Sequence, residues 1–192
     1  MISIYQKIQK VETLQRQIDM SVAKFKSCAG IDCLSHCSEC CSYPEILATP
    51  LEFLPFAYHA MKLGLIDQWA EELENWKKPT CFFRKQTENT WGCRIYPVRG
   101  LICRLFGFSA TFDKQGQPVF AACRVLKKAI PDKVEQIRIA KSLPGRIPVI
   151  ANHYRRLASI DINLGQEFLP INEAIKKAIE IAYFKLIFRH QA

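Results

Sequence analysis

The 192-residue sequence lacks several features that would assign it at once to a common class of protein. No stretch approaches the ~18 consecutive apolar residues of a membrane-spanning helix. The N-terminal segment MISIYQKIQKVETLQRQ has no continuous apolar core of the kind found in secretory signals. The sequence also contains no glycine-rich phosphate loop, no H-E-x-x-H and no G-x-S-x-G motif. We therefore expect a cytoplasmic protein without a membrane span, outside the commonest nucleotide-binding and hydrolase classes.

Cysteine, in contrast, is abundant, with nine residues in a chain for which we expect a reducing compartment. Disulfides are uncommon there, and an odd cysteine count argues against a complete disulfide framework. The formal charge of +9 is typical of nucleic-acid-binding proteins, but it treats every cysteine as neutral. Two zinc ions, each bound by four thiolates, would lower that charge to about +5. The composition favours metal ligation over disulfides.

The apolar pattern predicts a mostly α (α+β) fold. Apolar residues spaced by three or four from Ile4 to Phe25 predict one amphipathic helix of about six turns. Thr49, Pro50 and Glu52 form a predicted capping box, so a second helix should begin at Pro50 and tolerate a distortion at Pro55. Further helical periodicity occurs at 66–77, 131–143, 148–160 and 171–190.

Residues 81–124 change character. Short β-rich runs are predicted at 81–85, 90–96, 104–112 and 118–125, with a turn signal at Glu88-Asn89 and a hairpin turn at 113–116. We predict a single α-rich domain over residues 1–192. It consists of an N-terminal helix (1–27), a cysteine-rich core organised by metal and containing short β-hairpins (28–126), and a helical C-terminal part (127–192).

Five of the cysteines lie between positions 28 and 41, at spacings that let neighbouring thiolates reach one metal. The side chains of the adjacent residues Cys40 and Cys41 diverge, particularly in extended backbone. Such a pair is more naturally divided between two metals, or between two corners of a multinuclear cluster. The alternative is that one member of the pair is merely a small buried side chain.

In their order along the chain, these residues resemble the YkgJ family, the CxxCxxCC proteins described as zinc- or iron-chelating domains. The family's C-x2-C-x2-C-C cluster is matched, with one residue inserted in the first gap, by Cys33, Cys37, Cys40 and Cys41. The helix opening at Thr49 and the lone Cys81 follow in the family's order. The resemblance covers about residues 28–125.

The most specific part of the resemblance is the segment CRIYPVRGLICRLF. It is similar to the family's C-x-I-Y-x-x-R-P-x-x-C-R-x-F element, with matches at Cys93, Ile95, Tyr96, Arg99, Cys103, Arg104 and Phe106. Gly100 stands where the family usually has proline.

The resemblance implies that cysteines bind a metal or an iron–sulfur cluster. The predicted ligands are all nine cysteines: Cys28, Cys33, Cys37, Cys40, Cys41, Cys81, Cys93, Cys103 and Cys123. Zinc and iron–sulfur clusters both accept all-cysteine ligation. The large thiol count and the vicinal pair favour iron–sulfur slightly. A similar cysteine pattern in flagellin lysine N-methylases adds methyl transfer to a redox role among the implied activities.

Three residues of the same segment are predicted to support the cofactor. Arg99 and Arg104 should neutralise an anionic cluster and donate hydrogen bonds to sulfur. Tyr96 is either a hydrogen-bond donor to sulfur or an aromatic residue of the core.

Two other interpretations compete with this one. The spacing Cys33-x3-Cys37-x2-Cys40 also fits the radical SAM signature, but it follows a long helix here and no βα alternation continues downstream. The second is a metal-stabilised interaction module whose basic, aromatic face binds RNA or an acidic protein. That face would include Arg94, Arg99, Arg104 and Arg124. His36, inside the cysteine cluster, is expected to be an exposed loop residue.

Overall fold

The computed structural model describes residues 2–34, 37–86, 91–140 and 147–187. Within these ranges the fold is α-rich with only short antiparallel strand pairs, as the sequence predicts. The helices are α1 Ile4–Ala29, α2 Pro50–Lys62, α3 Ile66–Glu74, α4 Leu101–Leu105, α5 Arg124–Ala129, α6 Pro131–Ile139, α7 Ile150–Ala158, α8 Ile162–Gln166 and α9 Ile171–Ala182. A π-helical turn, Tyr183–Ile187, follows α9.

Six short strands form three antiparallel pairs in the described ranges. They are β1 Leu47–Ala48 with β6 Leu169–Pro170, β2 Arg84–Gln86 with β3 Trp91–Cys93, and β4 Ala110–Phe112 with β5 Pro118–Phe120. The turn predicted between the second pair, at Glu88-Asn89, lies outside the described residues. The hairpin predicted around 113–116 is confirmed, with Ala110 opposite Phe120. Two 3₁₀ turns, at Glu39–Cys41 and Tyr96–Val98, complete the cysteine-rich middle.

The predicted N-terminal helix is confirmed as α1, and each of its predicted apolar positions is buried. Ser3 and Gln6 form a capping box at its start. Gly30, with φ +62°, ends it in the left-handed conformation that glycine adopts readily. The chain therefore turns sharply just before the first cavity-lining cysteine.

The second predicted helix is also confirmed, with Thr49 as its N-cap and Pro55 inside it. α2 packs between α1 and α9. Its Phe53 and Phe56 meet Phe83 in a buried aromatic group, with Phe53–Phe83 and Phe56–Phe83 centroid distances of 6.4 and 4.6 Å. This packing holds the segment that begins at Cys81 against the helical core.

Each predicted β-rich run overlaps a strand, but the strands are shorter than the runs. The run predicted at 104–112 begins inside helix α4, where a distant carboxylate accepts the N–H of Ile102 at the start of the helix. The run predicted at 118–125 ends at Phe120, since the Cys123 sulfur accepts the Leu126 N–H at 3.5 Å and caps α5. Helix α3 ends at Glu74, three residues early. No helix within the described ranges is both long and apolar enough to cross a membrane.

Candidate metal centre

Most of the cysteines line one cavity of about 300 Å³ at the cysteine-rich middle of the chain. They come from the 33–41 segment, from the β2–β3 hairpin and the turn before it, and from the starts of α4 and α5. The eight cysteines that line it are Cys33, Cys37, Cys40, Cys41, Cys81, Cys93, Cys103 and Cys123. The structure therefore brings together residues that lie up to 90 positions apart.

Cys28 is the cysteine that the structure does not bring to this cavity. It lies near the end of α1, where it is exposed, and it is absent from the cavity lining. Its predicted role as a ligand has no support in this arrangement. His36, which was predicted to be an exposed loop residue, lies outside the described residues.

Backbone hydrogen bonds hold three of the cysteine-bearing segments together. The Cys81 N–H donates to the Cys41 carbonyl at 3.0 Å, which fixes the lone cysteine beside the vicinal pair. Arg84 pairs with Cys93 in the β2–β3 hairpin. The thiols of Cys41, Cys81 and Cys93 are thus neighbours because main-chain pairing places them so.

Cys41 is the centre of the thiol contacts. It is 5% exposed, and its sulfur lies 3.9 Å from that of Cys40. It also interacts with the thiols of Cys81 and Cys93, and these hydrogen bonds, that to Cys40 foremost, raise its pKa. The hydrogen bond from Cys41, opposed by burial and helped by the Ile95 N–H, lowers the pKa of Cys93 to about 7. At neutral pH Cys93 thus has thiolate character, the form that binds metal.

Arg99 supplies positive charge to this group of thiols. Its guanidinium lies over the Tyr96 ring, 4.0 Å from the centroid, and it lines the cavity. After the hydrogen bond from Cys41, the charge of Arg99 helps lower the pKa of Cys40. The Arg99 Nε is buried and has no hydrogen-bond partner among the described residues. A buried N–H donor without an acceptor is costly, so this position favours an acceptor in the cavity.

Tyr96 is 60% exposed, so the possibility that it is a core aromatic is wrong. The ring lies at the edge of the cavity beneath the guanidinium of Arg99. Its predicted role as a hydrogen-bond donor to sulfur stays a prediction.

Arg104 also lines the cavity, but its hydrogen bonds go elsewhere. The side chain is 5% exposed and donates to the carbonyls of Pro97, at 2.7 Å, and Arg99, at 3.1 Å. It also contacts the Gln15 side-chain oxygen at 3.4 Å and forms an ion pair with Asp19. Four acceptors engage this guanidinium, and it links α1 to the 97–104 segment.

Glu52 does more than cap its helix. One carboxylate oxygen accepts the Thr49 N–H at 2.8 Å and the Tyr154 hydroxyl at 3.2 Å, and the other accepts the Ile102 N–H at 2.9 Å. The last contact fixes the start of α4 and therefore Cys103. Burial raises the pKa of Glu52 despite these hydrogen bonds. The capping box was visible in the sequence, but the second use of the carboxylate joins residues 50 positions apart and was missed.

Gly100 explains one departure from the family pattern. A Cβ at this position would lie 2.7 Å from the Phe53 ring and 2.8 Å from the Glu52 carboxylate. The backbone itself, with φ −63°, is one that proline adopts. The neighbouring side chains, and not the backbone conformation, therefore require glycine here.

The donor set of the cavity fits zinc or iron, both of which are held by cysteine thiolates in proteins. Among the described residues, however, no three cysteine, histidine, aspartate or glutamate side chains already stand in a geometry that would hold a metal ion. Ligation therefore requires several sulfur atoms to turn towards a common point. A change of one χ1 rotamer moves a cysteine sulfur by a few ångströms.

A family model described as "CxxCxxCC: Putative zinc- or iron-chelating domain" matches residues 32–131, just over half of the chain. The chain belongs to this CxxCxxCC family. The matched range contains all eight cavity cysteines and leaves out Cys28. No curated protein and no solved structure matches the chain. Membership of the CxxCxxCC family supports a zinc- or iron-chelating function.

Proposed function

We propose that this CxxCxxCC protein holds a multinuclear metal–thiolate centre in the cavity, and that the centre contains iron and sulfide in preference to zinc. The observation that carries the proposal is the convergence of eight cysteines on one cavity. A structural zinc ion uses four ligands, so a single zinc would leave half of these thiols without a role. The proposed ligands are these eight residues. We leave Cys28 out because it does not line the cavity.

The electrostatics of the cavity support thiolate ligation. Four thiolates on one metal carry excess negative charge, which a nearby guanidinium offsets. The buried Nε of Arg99 has no acceptor in the described part of the chain, and Arg99 lines the same cavity as Cys40 and Cys93. We assign Arg99 as the donor to sulfur, and Arg104 as the residue that holds its segment in place.

The proposal favours a cytoplasmic location, where a reducing environment keeps such thiols available. The resemblance to the family implies a redox or methyl-transfer role for the centre. Either role needs a metal position that is open to a substrate or an electron partner, and Cys33 is the most exposed of the cavity cysteines.

The direct test is metal and sulfide analysis of protein purified without oxygen. We expect stoichiometric iron and acid-labile sulfide, together with broad visible absorption. Colourless protein with tightly held zinc would contradict the iron–sulfur part and keep the thiolate centre. Protein without bound iron or zinc would contradict the whole proposal.

Two serine variants locate the metal. Cys41→Ser removes a buried thiol that forms hydrogen bonds with three other thiols, so we expect it to lose most of the bound metal. Cys28→Ser is the matched control, since it changes an exposed thiol outside the cavity and should leave the metal content unchanged. Equal losses in the two variants would argue against a centre in this cavity.

The interaction-module interpretation finds less support among the described residues. Arg94 forms an ion pair with Glu72 at 2.7 Å, and Arg124 forms one with Glu39. Arg104 is likewise paired and buried. These arginines have their charge balanced within the chain, so the face that was expected to bind RNA or an acidic protein offers less free positive charge than the sequence implies.

A further inference from the structure

The eight cavity thiols form two neighbouring groups, which meet at the contact between Cys40 and Cys41. Around Cys41 lie the thiols of Cys81 and Cys93, with which it interacts, and Cys103 faces both of these as well as Cys40. Cys41 and Cys81 are only 5% and 3% exposed. We name the four residues Cys41, Cys81, Cys93 and Cys103 the inner group.

The other four cysteines include Cys33, the exposed thiol of the cavity, which contacts the thiol of Cys37 and faces both Cys40 and Cys123. Cys37, Cys40 and Cys123 are partly exposed, as are Cys93 and Cys103 of the inner group. We name Cys33, Cys37, Cys40 and Cys123 the outer group.

Separate structural links hold each group together. In the inner group, the Cys81 N–H bonds to the Cys41 carbonyl at 3.0 Å. In the outer group, Arg124 donates to Glu39 through Nε at 3.0 Å. Arg124 directly follows Cys123 in the sequence, and Glu39 directly precedes Cys40. An ion pair therefore ties the start of α5 to the 33–41 segment, independently of the hairpin that carries Cys93.

We propose that the cavity holds two metal units, one bound by the inner group and the other, exchangeable with solvent, bound by the outer group. This inference rests on the proposed metal–thiolate function and deepens it. Each group has four thiols, the number that a tetrahedral zinc ion or a four-cysteine cluster uses. We assign Cys40 and Cys41 to different units, and because their sulfurs lie 3.9 Å apart the two units would lie side by side.

The difference in exposure sets the difference in behaviour. A chelator or an acceptor protein has to approach the metal through the surrounding ligands. A unit bound by the exposed Cys33 is therefore accessible, while a unit bound by the buried Cys41 and Cys81 is shielded. The outer unit is thus the one suited to metal exchange, and the inner unit is the one that organises the hairpin and α4.

Zinc is the probe for the test, because it binds four thiolates without redox chemistry. The full chain, loaded with zinc in the absence of oxygen, should bind two ions and release them to a chromophoric chelator in a fast and a slow phase of equal amplitude. A Cys33→Ser, Cys37→Ser double variant should lose the fast phase and half of the zinc, while keeping the slow phase.

A second pair of variants removes no thiol, so it tests the division even if the loss of two cysteines prevents folding. Arg124→Gln breaks the ion pair with Glu39 but removes no thiol, so the fast phase should become faster with two ions still bound. Arg94→Gln is the matched control: it also follows a cysteine and loses a glutamate partner, Glu72, but lies on the inner side and should leave the fast phase unchanged.

The outcomes separate the two proposals. A wild-type chain that binds neither zinc nor iron overturns the proposed function and this inference with it. A chain that binds metal but releases it in one phase, or whose outer-group double variant loses all of it, overturns only the division into two units. Equal effects of Arg124→Gln and Arg94→Gln on the fast phase would also overturn it.

Discussion

Replacing Arg104 with lysine should destabilise the protein although the positive charge is kept. The guanidinium uses three different nitrogens: Nε donates to the Arg99 carbonyl, Nη2 to the Pro97 carbonyl, and Nη1 pairs with Asp19. A lysine ammonium is a single nitrogen with three donors and cannot reach acceptors spread over the planar fork. At least one buried carbonyl would therefore lose its partner.

The size of the effect follows from the contacts. A hydrogen bond from a charged donor contributes about 1.5–3 kcal/mol, and a buried acceptor left without a partner costs about 1–3 kcal/mol. Asp19 is half-exposed, so the ion pair adds little. We expect Arg104→Lys to lower the free energy of unfolding by about 2–4 kcal/mol. For a chain of this length that corresponds to a fall in Tm of about 4–16 °C.

The assay is denaturant unfolding of the reduced, metal-free protein, with Arg99→Lys as the matched control. Arg99 donates no hydrogen bond among the described residues, so its replacement should cost only the stacking on Tyr96, about 0.5–1 kcal/mol. If Arg104→Lys stayed within about 0.5 kcal/mol of wild type, or if both variants lost equal stability, the division of roles between the two arginines would be refuted.

Two further predictions concern the helical frame. Gly100→Ala should lower the free energy of unfolding by about 1–3 kcal/mol, measured by thermal or denaturant unfolding, because its Cβ would overlap Phe53. Gly92→Ala, with open space around it, should be nearly neutral. Similar losses of stability in the two variants would contradict the packing argument. Burial is the largest single influence on the pKa of Asp161 and raises it, but the Lys7 hydrogen bond and charge together with the backbone N–H groups of Leu164 and Asn163 lower it further, so the pKa lies below its usual value. This group therefore stabilises the fold at neutral pH and loses its effect as the pH falls through the folded pKa. Asp161→Asn, which can keep the helix cap, should flatten this acid slope in unfolding free energy measured against pH, and an unchanged slope would contradict the pairing.

The long helices could be predicted because their causes are local. The spacing from Ile4 to Phe25 and the capping box at Thr49 each lie within a few turns of chain, and both helices formed as expected. Helix α4 could not be predicted in this way. Its five residues include β-formers, and a carboxylate from α2 satisfies the N–H at its start. The residue pattern of a short segment does not show that its backbone is bound by a side chain 50 residues away.

The cysteine site likewise combines features that the sequence predicts with features that depend on tertiary structure. The family motif grouped Cys33 to Cys41 with Cys93 and Cys103, and all of these line the cavity. The spacing of the cysteines could not show which of Cys28 and Cys123 lines the cavity, because both lie outside the family motif. The separation depends on tertiary structure: Cys123 caps α5 beside the cavity, while Cys28 stays on the exposed side of α1.

The two motif arginines also looked alike in the sequence. Each matches the family motif near a cysteine. Within the described ranges, however, the Arg99 Nε has no acceptor, whereas the Arg104 guanidinium donates to two backbone carbonyls. Only the positions of Asp19 and of the carbonyls around residue 97 distinguish them. Such a difference depends on packing, which a motif does not encode.

X-ray absorption spectroscopy of the protein purified without oxygen tests the central claim most directly, because it reports the atoms bound to the metal. We predict a first shell made entirely of sulfur at about 2.3 Å, the distance of metal–thiolate bonds. The Cys28→Ser variant should give the same spectrum. A first shell of nitrogen or oxygen, or one that changes in Cys28→Ser, would contradict a thiolate centre built from the eight cavity cysteines.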